Sequence, residues 1–279
     1  MENKIPCTVV ILTLNSEKVL PRCLQSVSFA DEILLVDGNS TDTTHAIASQ
    51  YNARIIKQKE TDEPNIRIDN FTEVRQKGID AAKNDWIINI DSDEWFAPGT
   101  ENEIRTIVLN GDVNVAMQAP DIIVLDDGLG QVIKHAWYYP RFSMLRLFNR
   151  AGDVMLMRDK KVHERWILGK QSKEVIAKNG VFFSMKPYAM QKEKTDFYLS
   201  LAYKEYQSKN ISLWYLVNLI WYRNVRSILG IFARVFYTYL RYGFKDVLPF
   251  KYVLETLKYQ CGLIKFGTKV FFEQKVVKK

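Results

Sequence analysis

The 279-residue sequence predicts an α/β fold: an open, mostly parallel, Rossmann-like mixed sheet followed by a helical extension that is basic and aromatic. Three observations carry that prediction. The first hundred residues alternate short continuous apolar runs with helix-like stretches, the pattern of a parallel sheet joined by right-handed crossovers. From about Asn110 to Phe183 the runs shorten and are separated by Gly and Pro, as in a mixed or antiparallel extension of the sheet. The last 79 residues hold 14 Lys and Arg against 4 Asp and Glu, and 18 of the 35 aromatic residues. The first 200 hold 25 against 28, so the net charge of +7 hides two differently built parts.

The elements follow in order. Thr8 to Leu14 is a β-branched run of the kind buried on both faces of a parallel sheet. Ser16 is placed to cap a helix through Val27, with Leu20, Leu24 and Val27 on one face. Glu32 to Val36 reads as a second buried strand, ended by Asp37, Gly38, Asn39 and Ser40. Thr41 or Asp42 then caps a helix to Tyr51, and Arg54 to Lys57 is a short third strand. After a polar loop, a helix is expected from about Phe71 to Lys83, and Trp86 to Ile90 is a fourth strand running into Asp91, Ser92, Asp93 and Glu94. Short β-like pieces follow at Val113 to Ala119, Ile122 to Leu125, Gln131 to Lys134 and Met144 to Phe148. From about Gln191 the chain reads as helical, with breaks near Gly243 and Pro249. The expected division is a globular domain over 1–190, in halves 1–100 and 101–190, and a helical extension over 191–279.

Composition removes several classes. With 47% hydrophobic and 25% charged residues the chain is an ordinary globular one, long enough to bury a core without staples. Cys7, Cys23 and Cys261 are too few and too scattered for a disulfide framework or a Cys-rich metal site. The N-terminus enters a strand-like run with no charged-then-apolar leader, so secretion is not expected. No uncharged apolar stretch reaches the ~18 residues needed to span a bilayer; the longest, Ile211 to Tyr222, stops at Arg223.

In an open parallel sheet, ligands bind outside the carboxyl ends of the strands. That points to Thr13 to Ser16, Asp37 to Ser40, the helix around Arg75, and Asp91 to Asp93. Thr13-Leu14-Asn15-Ser16 has no glycine, which argues against a dinucleotide or P-loop site. Any phosphate here needs another counter-charge. Two carboxylates at i and i+2, Asp91 and Asp93, can hold a hard divalent cation and leave its other positions to phosphate oxygens and water. Taken alone, the same pattern also serves as an Asx-turn at a strand end, and Asp37 before Gly38 as a turn former.

Together, Thr13-Leu14-Asn15, the Leu20 to Val27 helix, Ile33 to Asp42, Arg75-Gln76-x-Gly78 and Asp91-Ser92-Asp93 resemble the family 2 inverting glycosyltransferases of the GT-A fold. The resemblance covers roughly residues 6–100. Leu145 to Arg150 and Val162-His163-Glu164 look like the lipopolysaccharide-core β-glucosyltransferase subgroup, whereas Ser184 to Tyr188 replaces the His-Tyr-Ser-Tyr-like segment of its members. The resemblance implies a UDP-sugar donor handled by the first half of the domain and an acceptor handled by the second. Thr13 and Asn15 would border the base pocket, Asp37 would accept a hydrogen bond from uracil, and Arg75 would contact the nucleotide. Asp91 would approach the ribose and metal, and Asp93 would bind Mg²⁺ or Mn²⁺. His163 would be a further metal ligand or touch the diphosphate.

Inverting displacement needs a base on the face opposite the leaving diphosphate, and a carboxylate is the usual solution. Glu164 is the first candidate, with Asp121, Asp126 and Asp127 as rivals. Arg141, Arg146 and Arg150 read as polar-face residues, His45 and His135 as structural, and Trp86 and Ile90 as core. In the extension, at ~100° per residue, Arg223, Arg226, Arg234 and Arg241 fall within an arc of about 80°, and Val225, Phe232, Phe236 and Tyr239 lie opposite. A basic face against an aromatic one suits a helix lying in a membrane interface, and Lys251, Lys258, Lys265, Lys269 and Lys275 suit anionic headgroups. The expected protein is therefore a metal-dependent transferase, cytoplasmic and peripheral on the inner face of the cytoplasmic membrane. Its expected partners are a nucleotide-sugar donor, a lipid-linked saccharide acceptor such as lipopolysaccharide core, and an anionic membrane surface. A polyprenyl-phosphate sugar synthase is the alternative among enzymes. A basic nucleic-acid-binding module is the alternative outside them; no nucleic-acid partner is expected, since no recognition motif is present.

Overall fold

Strand β1 (Ile5–Thr13) lies between β2 (Ala30–Asp37) and β4 (Trp86–Asp91), all three parallel, with β3 (Arg54–Lys57) outside β2. This is a computed structural model, and it describes residues 3–125, 132–133, 143–156, 166–185 and 188–276. Contacts divide the chain into two units, Met1–Ile122 with Arg141–Ser184 and Ile123–Pro140 with Met185–Lys279.

In the first unit both faces of the sheet are covered, which is why β1 is continuously apolar rather than alternating. Cys7, Val9 and Ile11 pack with residues of α1 (Leu20–Ser26), α2 (Thr44–Gln50) and α4 (Thr100–Asn110). Val10 and Leu12 point the other way, toward Val74 and Ile79 of α3 (Phe71–Ala81). The chain steps from β1 to β2 to β3 and then crosses back to lay β4 on the opposite side of β1. That reversal leaves a crevice at the carboxyl ends of β1 and β4, where ligands of open α/β sheets sit. Beyond β4 the sheet becomes mixed. β8 (Ser143–Asn149) pairs antiparallel with β4 and with β6 (Val115–Leu125), and β12 (Val181–Met185) and β5 (Glu94–Phe96) follow. β11 (Lys173–Ile176) adds parallel to β6, while β9 (Val154–Leu156) and β10 (Trp166–Leu168) pair separately.

Three local features differ from the sequence reading. The first helix begins at Leu20 rather than just after Ser16, because the Ser16 hydroxyl is engaged with Ser92 at 3.0 Å and Pro21 suits a helix's first turn. β5 and α4 are not assigned by the sequence reading, although Ile104 and Val108 are spaced as one buried helix face and Gly99 and Gly111 bracket it with left-handed φ of 92° and 70°. β6 runs through Pro120 as a single strand, the proline facing Ser143 across the ladder.

Gly78 decides how closely α3 approaches the sheet. A Cβ there would meet Val10 Cγ1 at 2.4 Å and Val36 Cγ2 at 2.9 Å. Gly78→Leu is therefore expected to lower unfolding free energy by about 1–3 kcal/mol through overpacking. A urea melt beside the parent protein checks it; an unchanged midpoint would show that α3 does not need this approach.

The second unit is chiefly helical. It holds α5 (Tyr188–Ser208), a wider i→i+5 helical stretch Tyr215–Tyr222, α6 (Arg223–Tyr242) and α7 (Phe250–Val276), with β7 (Val132–Ile133) paired to Ile123 and Val124. Leu199, Tyr206, Leu216, Ile220, Leu263 and Val270 form its core. α6 has three faces rather than two. Asn224, Ile231, Val235 and Thr238 are buried, the four arginines are exposed, and Val225, Leu229, Phe232, Phe236 and Leu240 form a separate exposed stripe. Phe236 is 70% and Leu240 74% exposed, so the apolar stripe is not what packs α6 into its unit. No helix among the described residues is long and apolar enough to cross a membrane.

Candidate active site

The carboxyl ends of β1, β2 and β4 bring together Thr13, Asn15, Asp37 and Asp91, and α3 delivers Arg75 to the same place. Asp37 is almost wholly buried, at 2% exposure, and receives four hydrogen bonds. Thr13 Oγ1 donates to its Oδ1 at 2.8 Å and Ser40 Oγ to the same oxygen at 2.6 Å. Ser40 N donates to Oδ2 at 2.8 Å, and His45 Nε2 lies 2.8 Å from that oxygen. Burial pushes the Asp37 carboxyl upward, but the bonds from Ser40, His45 and Thr13 outweigh it and hold the group below its ordinary value.

The turn after β2 is shaped by residues that tolerate left-handed backbone. Asn15, Asn39 and Asn65 have φ of 48°, 57° and 58°. Asn15 Nδ2 donates to Asn65 Oδ1 at 2.8 Å, and its Oδ1 accepts from Thr41 N at 2.9 Å. Gly38 is required by close approach, since a Cβ would stand 2.4 Å from the Ile66 carbonyl oxygen. The exposed Asn15 side chain is thus held at the rim, whereas Thr13 is buried and acts on Asp37.

Arg75 Nη2 donates to Asp91 Oδ1 at 2.8 Å; the arginine side chain is 6% exposed and the Asp91 side chain 46%. Removal from bulk water raises the Asp91 carboxyl, but the Arg75 guanidinium, with Arg146 adding to it, holds it below the usual range. Behind Asp91 lies a second ionic group. Arg146 on β8 donates to both oxygens of Glu94, at 2.5 and 2.8 Å, and to Asp121 Oδ1 at 2.8 Å. Glu94 Oε2 also accepts from Asp91 N at 2.9 Å, which ties this group to the end of β4. Burial raises the Asp121 carboxyl more than Arg146 lowers it.

Among the described residues, the acids Asp91, Asp93, Glu94 and Asp121 outnumber the cations Arg75 and Arg146 at the end of β4. Asp91 and Asp93 are hard oxygen donors, and among the described residues no cluster of three His, Cys, Asp or Glu could hold an ion by itself. The two carboxylates fit Mg²⁺ or Mn²⁺ in donor type. His163, Glu164, Asp126 and Asp127 lie outside the described residues.

Two groups here escaped the sequence reading. His45 read as structural but touches Asp37, and Arg146 read as a polar-face residue but is buried between Glu94 and Asp121. The available signal was an arginine within Leu145-Arg146-Leu147-Phe148, since a charge in an apolar strand needs a partner.

Lowered carboxyls make this end of the sheet acid-sensitive. The stability contributed by Asp37 and Asp91 is present above the unfolded value of about 3.9 and is lost as pH falls through their lower folded values. Asp121, raised, works in the opposite direction. The urea midpoint should fall between pH 7 and pH 3, and Asp37→Asn, less stable at pH 7, should lose less over that range. Parallel slopes for the two proteins would remove Asp37 from the account.

A doubly covered α/β sheet with its ionic groups gathered at the strand-order reversal defines a protein whose ligand site lies at the switch point. The Glycosyl transferase family 2 model matches residues 8–161, more than half of the chain, and the chain belongs to that family. Residues 8–161 form a glycosyltransferase domain of GT-A fold, and a helical C-terminal region follows. Over 256 residues it is 25% identical to an uncharacterized glycosyltransferase of Rickettsia typhi, covering 87% of this chain and 82% of that one. A TPR repeat-containing protein of Synechococcus elongatus is 33% identical over 152 residues, 54% of this chain and 33% of its own length, so the chain spans about a third of that relative. Among solved structures, glucosyl-3-phosphoglycerate synthase from Mycobacterium tuberculosis in complex with Mn²⁺ and UDP-glucose is 21% identical, with a TM-score of 0.33 over 44% of each chain. A likeness of that extent bears on no residue of the site.

Proposed function

We propose that this glycosyltransferase is metal-dependent and inverting, and that it moves glucose or another hexose from a UDP-sugar to a lipid-linked saccharide such as lipopolysaccharide core. The observation that carries the reading is the joint placement of Asp37, Arg75 and Asp91 at the switch point, where acids outnumber cations among the described residues. In this reading Asp91 and Asp93 hold Mg²⁺ or Mn²⁺, with His163 as a further ligand. The ion supplies positive charge where the leaving diphosphate gathers negative charge. Arg75 keeps Asp91 ionised and oriented, and Glu164 takes the acceptor hydroxyl's proton on the opposite face. Residues 1–190 carry the chemistry, the first hundred for the donor and the remainder for the acceptor, and 191–279 rest on the inner face of the cytoplasmic membrane. The exposed arginines and the separate exposed apolar stripe of α6 support that last assignment.

The test is a panel of UDP- and other nucleotide sugars with Mn²⁺, following release of nucleotide diphosphate with and without lipid-linked saccharide. Release only from non-uridine donors would overturn the donor. Transfer to polyprenyl phosphate instead of a saccharide would favour the synthase alternative.

Uracil recognition through Asp37 has a geometric consequence. An ionised carboxylate has about four acceptor positions, and all four on Asp37 are taken. His45, half exposed, is the donor that can yield to a base N–H. His45→Ala should then tighten UDP binding severalfold by calorimetry; weaker binding would mean that His45 itself holds the donor.

A further inference from the structure

Past Tyr242, Gly243 takes a φ of 66° and the chain turns through Phe244, Val247 and Pro249 into α7. This corner of the second unit forms an open cavity of about 610 Å³, lined among others by Phe232, Val235, Phe236, Tyr239, Phe244 and Val247. The size lies within the ~300–1,000 Å³ range of small-molecule sites. Val235 and Val247 are buried, while Phe236 and Phe244 are strongly exposed, Phe244 at 87%. Among the described lining residues, the only polar side-chain group is the Tyr239 hydroxyl, and it already donates to the Leu248 carbonyl at 3.0 Å.

That chemistry selects the occupant. A peptide segment would bring backbone N–H and C=O groups for which the lining side chains offer no free partner, each at a desolvation cost. A hydrocarbon chain brings none. Beside the lining, at the turn into α7, the exposed cations Lys245 and Lys251 are set against one acid, Asp246, which favours an anionic headgroup. The exposed stripe of α6 also leads into the cavity, since Phe232 and Phe236 belong to both.

We propose that this cavity takes one hydrocarbon chain of an anionic membrane lipid, with the headgroup held by Lys245 and Lys251. The proposal rests on the membrane reading above and adds to it a single, saturable lipid site. Titration with lysophosphatidylglycerol below its micelle concentration should show one saturable site, with lysophosphatidylcholine binding at least fivefold more weakly. Val235→Trp, which fills the cavity from its buried side, should weaken lysophosphatidylglycerol at least tenfold. Leu229→Ser with Leu240→Ser, on the stripe but outside the lining, should leave it within twofold while reducing sedimentation with phosphatidylglycerol-containing vesicles. A diazirine-bearing chain on the unaltered protein should label residues within 232–250, which decides the matter even if Val235→Trp fails to fold. Non-saturating binding, full affinity in a folded Val235→Trp protein, or labelling elsewhere overturns the site. Binding to vesicles but not to the monomeric lysolipid overturns the site alone; binding to neither overturns the membrane reading with it.

Discussion

Asp93→Asn is expected to lower transfer by at least ~10²–10³-fold, the scale of removing one electrostatic contact to developing transition-state charge, while leaving the fold intact. Under the proposed assignment the substitution removes a full negative charge from the hard-oxygen donor set at the end of β4. The backbone tie of Asp93, whose carbonyl accepts from Ser184 N at 3.3 Å, does not depend on that side chain's charge. Asp91→Asn is the poorer test, because it would also weaken the contact that the nearly buried Arg75 makes with Asp91 at 2.8 Å and so mix stability with activity. Steady-state transfer, Mn²⁺ titration and a thermal melt on Asp93→Asn together check the expectation. Near-parent turnover that ignores EDTA would remove the metal from this site.

Glu164→Gln should lower turnover by ~10²–10⁴-fold with donor binding unchanged, since the amide keeps the shape of the side chain but cannot accept the acceptor hydroxyl's proton. Loss of donor affinity instead would move Glu164 into the donor site. Turnover left intact would pass the role to Asp121, Asp126 or Asp127. Of those, Asp121 has a burial-raised carboxyl, and as the base it would move the acid limb of the pH–rate profile above the ordinary carboxylate range. Asp121→Asn needs a stability control, because Asp121 shares Arg146 with Glu94.

Much of the first hundred residues was legible because their signals are local. The β-branched run before Thr13 and the apolar run before Asp37 are buried strands, and Trp86 to Asp91 carries the second acid to the same edge. The α4 helix was less legible: its two buried aliphatic positions, Ile104 and Val108, are spread among polar residues, and its caps are backbone glycines without side-chain signals. His45 and Arg146 could not be assigned from their neighbours in the chain. Their partners stand 8, 25 and 52 positions away, and nothing in local composition records which charge a buried arginine meets.

By itself, then, the sequence determined the α/β order, the strand ends that carry Asp37 and Asp91, and the basic, aromatic character of the C-terminal region, because period, turn chemistry and composition act over a few residues. Only the tertiary structure decided that Asp37 is saturated by four donors, that Glu94 and Asp121 share Arg146 behind Asp91, and that α6 is buried through Asn224, Ile231, Val235 and Thr238 rather than through its aromatic stripe. The physical reason is the same in each case. A helical wheel fixes which residues share a face, and a strand fixes which side chains alternate, but which face is covered and which charge is matched depends on elements brought together from distant parts of the chain.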